Sequence, residues 1–263
     1  MTDPTPELTD ESFWDGYWQE RVQRLPLEVH RETSSLQVRA ILDVIDAYLP
    51  AANSAVLEVG GAPGQYLAYF RRRCLCRCSI LDYSAPGCAL AKENFRALGS
   101  ELDVYECDLL AADLTDRFDF VYSLGLVEHF VDYAAAVAAH AKLVKRGGTL
   151  LIGVPNFRGV NGWFARRIDR PRFESHNLEA MNAKAWDTFE ESLGLQRLFR
   201  GHVGGFEPGV FATPAASAAT GARLTAFTAR SFSRALTYRF APIRRFNPPW
   251  LSGYLMGVWR VPS

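Results

Sequence analysis

Glu58, Gly60, Gly61, Ala62 and Gly64 fall within one decapeptide, Ala-Val-Leu-Glu-Val-Gly-Gly-Ala-Pro-Gly at 55–64. Glycines at such a turn let backbone N–H groups and the next helix N-terminus approach a ligand closely. Counted from Gly60, the dinucleotide pattern G-x-G-x-x-G meets Ala62 and Gln65 where it needs glycines. A phosphate-binding P-loop is excluded as well, because no Gly-Lys-Ser/Thr follows. A second chemical signal is Asp82, which ends the apolar run Ser79-Ile80-Leu81 and lies 22 residues beyond Gly60. In a strand–helix–strand unit that spacing puts an acid at the tip of the second strand.

Three further segments continue the series. Val104 to Asp108 is a short apolar run ending in an acid. Phe118-Asp119-Phe120-Val121-Tyr122-Ser123-Leu124-Gly125-Leu126-Val127-Glu128-His129 reads as a strand and the loop after it. Lys145-Arg146-Gly147-Gly148-Thr149-Leu150 reads as a helix closing at Gly147 and a new strand opening. In this order and spacing, residues 54–156 resemble the class I S-adenosylmethionine-dependent methyltransferases of small molecules, with Ala62 in place of the middle glycine of the turn. The resemblance implies S-adenosylmethionine as cofactor. It implies that Asp82 binds the ribose diol and that Tyr83 lies against the adenine. Asp108 would take the adenine amino group and the Leu109 N–H a ring nitrogen. Glu58, Gly60, Gly61, Ala62, Gly64 and Leu124 would complete the cofactor site, with Tyr17 and Trp18, beside Trp14, as a cap.

The elements that must position these residues follow from pattern. Helices are expected at 11–24 and 33–48, forming a helical cap over 1–50. Strands are expected at 55–59, 76–82, 102–107, 118–123 and 149–155, with helices near 64–72, 86–97 and 131–145. Strands alternating with helices specify a parallel sheet with right-handed crossovers. Beyond Pro155, helices are expected at 159–168 and 183–193, a sixth strand at 196–203 and a last one at 254–261. The resemblance makes that last strand antiparallel. The expected fold is thus one α/β domain over 1–263. It is a Rossmann-like, doubly wound sheet of seven strands, with the cofactor core at 51–156 and an acceptor-side lid insertion over 157–263.

Composition bounds the function classes. The chain has 263 residues, 48% of them hydrophobic, and no net charge. No apolar run approaches the ~18 residues of a membrane span. The acidic N-terminus lacks a signal-peptide core, so a cytoplasmic protein is expected. Five cysteines, three of them in Cys74-x-Cys76-x-Cys78, read as reduced thiols in or near the second strand, and no metal is expected. Charge is uneven: residues 1–150 hold 14 Lys/Arg against 22 Asp/Glu, and residues 151–263 hold 15 against 7. The late basic residues interleave with aromatics between Arg223 and Phe246, as a helical lid or as a contact with a membrane surface or an anionic substrate. Nucleic acid is not an expected partner, and oligomeric state is open. Asn247-Pro248-Pro249-Trp250 has the form of a loop that grips amino groups in adenine and glutamine methyltransferases. It stands before the last strand rather than after the fourth, and so reads as turn chemistry.

A sulfonium methyl is already activated, so transfer needs alignment and exclusion of water, and a base only when the acceptor must lose a proton. Of five histidines, His129 follows the fourth strand at the edge where ligands bind in open α/β sheets. His176 lies in the insertion after the fifth strand. These two are the candidate bases, with an acid limb expected near pH 6–7. His140, in an alanine-rich helix, reads as a surface residue. The expected activity is methyl transfer to an O, N or C nucleophile of a small molecule. A membrane-held lipid or quinone methyltransferase and a non-catalytic S-adenosylmethionine-binding module are the alternatives.

Overall fold

The computed structural model describes residues 7–19, 24–32, 35–205 and 246–263. Seven strands are present: β1 (Ala55–Val59), β2 (Arg77–Asp82), β3 (Asp103–Glu106), β4 (Phe118–Leu124), β5 (Val144–Pro155), β6 (Gln196–Val203) and β7 (Tyr254–Arg260). They form one sheet in the order β3-β2-β1-β4-β5-β7-β6. β1 runs parallel to both β2 and β4, while β7 is antiparallel to β5 and to β6. The chain leaves β1 toward β2 on one side and later returns to β4 on the other. That reversal opens a crevice at the carboxyl ends of β1, β2 and β4, where open α/β sheets bind ligands.

Alternation along the strands separates two cores. Leu57, Val121, Leu150, Ile152 and Trp259 face one side and pack with Val137, Trp186 and Phe189. Val56, Ile80, Phe120, Leu151 and Val258 face the other and pack with Ile45, Leu67 and Phe70. Each such side chain, wholly removed from water, contributes about 1.5–3 kcal/mol.

The helices are α1 (Glu11–Gln19), α2 (Leu36–Ala47), α3 (Gln65–Cys74), α4 (Ala85–Ala97), α5 (Tyr133–Leu143), α6 (Gly159–Ile168), α7 (Arg170–Glu174) and α8 (Trp186–Ser192). Their ends follow local chemistry. Ser84 caps α4 by accepting from the Gly87 N–H, and Asp132 caps α5 by accepting from Ala135.

Two expectations are corrected, those for the end of α5 with Gly147 and for His140. α5 stops at Leu143 rather than 145, and β5 begins at once at Val144, so Gly147 lies inside a strand segment and not at a helix end. Its N–H bonds the Val261 carbonyl and its own carbonyl accepts from Arg260, which ties this extension to the last strand. His140 is fully buried, not at the surface. The small side chains of α5 let that helix settle close to its neighbours, and the imidazole Nδ1 bonds the Ala136 carbonyl at 2.7 Å. The thiols are free and lie in or near β2, as expected. Cys74 ends α3, while Cys76 and Cys78 approach to 3.8 Å between sulfurs beneath it. Asn247-Pro248-Pro249-Trp250 closes a turn: Asn247 accepts from the Gly205 N–H, and the Pro249 carbonyl accepts from Asn156. The basic aromatic stretch from Arg223 to Arg245 lies outside the described residues.

Candidate active site

A cleft opens at the carboxyl ends of β1 to β4, about 590 Å³ counting its mouth. Val59 and Leu81, the last apolar residues of β1 and β2, form part of its wall with Gly60. Gly60 turns the chain with φ +62°, its N–H held by the Leu81 carbonyl at 2.7 Å. A Cβ there would come within 2.7 Å of Leu126 Cδ1, another wall residue, so the wall is already closed to the width of a hydrogen.

Asp82 and Tyr83 stand at the tip of β2, and Asp108 and Leu109 just beyond β3, all on the same cleft. The Asp82 carboxyl is fixed from below. One oxygen accepts from the Ser84 N–H at 3.0 Å and the other from the Ala62 N–H at 3.4 Å. A carboxylate offers about four lone-pair directions, so these backbone bonds leave acceptor capacity over, and Asp82 lines the cleft. Burial raises its pKa from the ordinary value, against the pull of those backbone N–H groups. Asp108 accepts from the Leu110 N–H at 2.9 Å, and so pins the short 3₁₀ turn Leu109–Ala111.

The opposite wall comes from the N-terminus and the loop after β4. Trp14 and Trp18 of α1 reach the cleft, and Tyr17 does not. Its ring packs edge-on to both, 5.5 Å and 4.9 Å between centroids. Glu7 and Thr9 also line the cleft, with Cys107, Gly125, Leu126 and Phe130. Sequence reasoning missed them. Glu7 pairs with Phe130 as an isolated bridge and accepts from the Tyr83 hydroxyl at 3.1 Å, contacts that join positions over 70 residues apart. No local pattern announces such a partner.

The remaining expected residues stand behind the wall. Gly61 has no Cβ because the Glu58 side chain fills that space, 2.1 Å from where the atom would be. Ala62 contributes its backbone N–H to Asp82. Gly64 caps α3 with φ +80° and faces Phe95. Leu124 packs toward Gly153 and gives way on the cleft to its neighbours Gly125 and Leu126.

Glu58 is buried, and loss of hydration pushes its pKa up to about 8. Its folded pKa thus exceeds the ordinary 4.5. The stability it contributes is full below the unfolded value and lost as pH rises through about 8. Glu58→Gln stays neutral at every pH. Its melting temperature is expected to gain on that of the wild type as pH rises from about 5 to about 8. A difference independent of pH, read by scanning calorimetry, would contradict this.

Of the two candidate bases, only His129 reaches the cleft. It sits on the 3₁₀ turn Val127–His129, edge-on to Trp14 at 5.4 Å. His176 lies behind it, 4.5 Å away between ring centroids, and against Phe157. Burial lowers the His129 pKa to about 4 and that of His176 to about 3. Both rings are therefore neutral at physiological pH, and the ordinary histidine range expected for the acid limb does not apply.

Residues 57–152 match the family model described as a methyltransferase domain. A ubiquinone biosynthesis O-methyltransferase from Xanthomonas oryzae pv. oryzae is 30% identical over 117 residues, 44% of this chain and 48% of that protein. The chain thus spans about half the length of the curated relatives it matches. Among solved structures, a geranyl diphosphate C-methyltransferase from Streptomyces coelicolor, bound to S-adenosyl-L-homocysteine, superposes with TM-score 0.61 at 14% identity. That match covers 95% of this chain and 97% of that one. The cyclase SpnF superposes with TM-score 0.58 at 15% identity, over 92% of this chain and 87% of that one. A shared fold that serves a cyclase as well as methyltransferases does not by itself fix a reaction. The family match supplies what the fold cannot: residues 57–152 match a methyltransferase domain.

Proposed function

We propose that the chain transfers a methyl group from S-adenosylmethionine to an oxygen nucleophile of a small molecule. The observation that carries this reading is one cleft that gathers Gly60, Asp82, Tyr83, Asp108 and Leu109 on one wall and His129 with Trp14 on the other. The first wall suits an adenosine: a carboxylate with spare acceptor capacity, an aromatic ring and a close-approach turn. When bound, S-adenosylmethionine supplies a methyl already activated by its sulfonium sulfur. Trp14, Trp18 and Phe130 then exclude water, and His129 accepts the proton of the acceptor hydroxyl. Its Nδ1 lies 3.1 Å from the Ser175 carbonyl. A carbonyl oxygen only accepts, so Nδ1 carries the proton and Nε2 keeps a lone pair. The relative named for ubiquinone biosynthesis methylates oxygen, which supports an oxygen acceptor here.

Incubation of cell extract with methyl-labelled S-adenosylmethionine, followed by mass identification of the product, tests the reading. A labelled small molecule is expected. Binding without turnover would instead support a non-catalytic module. No helix among the described residues is long and apolar enough to cross a membrane. A membrane-held variant would rest on the basic aromatic stretch, and vesicle co-sedimentation separates it. With the acceptor in hand, His129→Gln is expected to lower kcat by about 10²-fold with little change in cofactor affinity. The acid limb of the wild type is expected near pH 4, where the buried imidazole takes its proton. A limb near pH 6–7 would show that His129 is not the titrating group.

A further inference from the structure

Behind the cleft wall, Glu128, His129 and His176 each offer one ligand atom, and these atoms all lie within 4.8 Å of one another. All three residues are buried. The Glu128 Oε2 atom has no hydrogen-bond partner although it is shielded from water. An unpaired buried polar atom is costly, and a folded chain that keeps one has a use for it. Both imidazoles are oriented from behind. His129 Nδ1 bonds the Ser175 carbonyl at 3.1 Å, and His176 Nδ1 bonds the Arg172 carbonyl at 2.5 Å. Each ring is thereby fixed in the tautomer that leaves the Nε2 lone pair free to bind. Histidines that hold metals are oriented in the same manner by a carbonyl on the other nitrogen.

We propose that Glu128, His129 and His176 form a binding site for a divalent transition-metal ion. Two imidazoles and one carboxylate suit zinc, iron(II), cobalt(II) or nickel(II) rather than calcium or magnesium. Ligands at about 2.1 Å in a tetrahedral set lie about 3.4 Å apart. The ligand atoms, now within 4.8 Å of one another, would close to that spacing when an ion binds. The Arg172 guanidinium nearby opposes a cation, and the Glu128 carboxylate, losing its proton to solvent as the metal enters, offsets it. Three protein ligands leave coordination positions open. His129 lines the cleft, so the ion stands at the acceptor's side of the wall. Metal and proton compete for the same His129 lone pair. An ion held there would occupy the lone pair that His129 otherwise offers as a base, and would supply Lewis acidity toward an acceptor oxygen in its place.

Cobalt(II) titration of the whole chain, read by visible absorption and calorimetry without cofactor or acceptor, tests the site apart from methyl transfer. One ion per chain is expected. His176→Gln and Glu128→Gln are each expected to weaken binding by at least about 10-fold, with melting curves recorded to confirm folding. Cys76→Ser controls for the thiols at 74, 76 and 78 and is expected to bind as the wild type does. Two results would overturn the proposal: no stoichiometric binding, or binding that Cys76→Ser abolishes and folded His176→Gln retains.

Discussion

Asp82→Ala is expected to weaken S-adenosylmethionine binding by about 100-fold. Two hydrogen bonds to a charged carboxylate contribute roughly 1.5 kcal/mol each, together about 3 kcal/mol, and each 1.4 kcal/mol is tenfold in affinity. The carboxyl also accepts from the Ala62 and Ser84 N–H groups. The substitution therefore unties the glycine turn from β2, and a lowered melting temperature accompanies the loss of affinity. Asp82→Asn keeps one acceptor oxygen and is expected to fall between wild type and alanine. Calorimetric titration measures both variants. A change of less than about threefold for the alanine variant would remove Asp82 from the ribose site.

Gly60→Val has a larger expected effect, loss of measurable cofactor binding in a protein that remains folded. The backbone there has φ +62°, which a branched side chain resists, and the added Cβ meets Leu126 at 2.7 Å. Leu126 itself lines the cleft, so its displacement is expected to disturb the wall a cofactor would meet. Leu126→Ala in the same chain relieves the contact but not the backbone strain, so rescue is expected to be partial. Normal cofactor binding by Gly60→Val, with an unchanged circular dichroism spectrum, would place the cofactor elsewhere.

The half of the site nearest the sheet was legible because its signals are local. A strand tip, a glycine turn and an acid at fixed spacing are set by two short segments, as Gly60 and Asp82 show. The other half was not. Glu7 and Thr9 reach the cleft by crossing to Phe130 and Tyr83, and nothing in their own neighbourhood encodes that. Glu58, Gly61 and Gly64 carry the right pattern for a different reason: they make room for one another and start α3, one layer behind the surface that a ligand meets. The histidines show the same limit. His176 and His129 come from separate loops, and their meeting at 4.5 Å depends on how α7 returns over the turn after β4. His140 was misread because a helix of small residues looks polar-tolerant in sequence, yet it is those small residues that let it sink into the core. The parallel character of the sheet was legible from strands alternating with helices, whereas the extension of β5 back to Val144 was not, since Val144 pairs with Phe118 of β4 across a register shift and Gly147 meets Val261, far later in the chain.

The helix α1 buries none of its residues completely, although it carries Phe13, Trp14, Tyr17 and Trp18. Its attachments include the Asp15 carboxylate accepting from the Ser84 hydroxyl at 2.6 Å, Trp18 against Gly87, the Trp14 indole donating to Thr9 at 3.2 Å, and Trp14 edge-on to His129. Ser84 caps α4 and Gly87 stands in its first turn, directly after Asp82 and Tyr83, so the roof is fastened to the segment that lines the cleft at the tip of β2. A molecule entering or leaving that wall must loosen the same contacts that hold the roof down. The roof thus shares its fastening with the tip of β2, and its release and access to that wall of the cleft are expected to be linked.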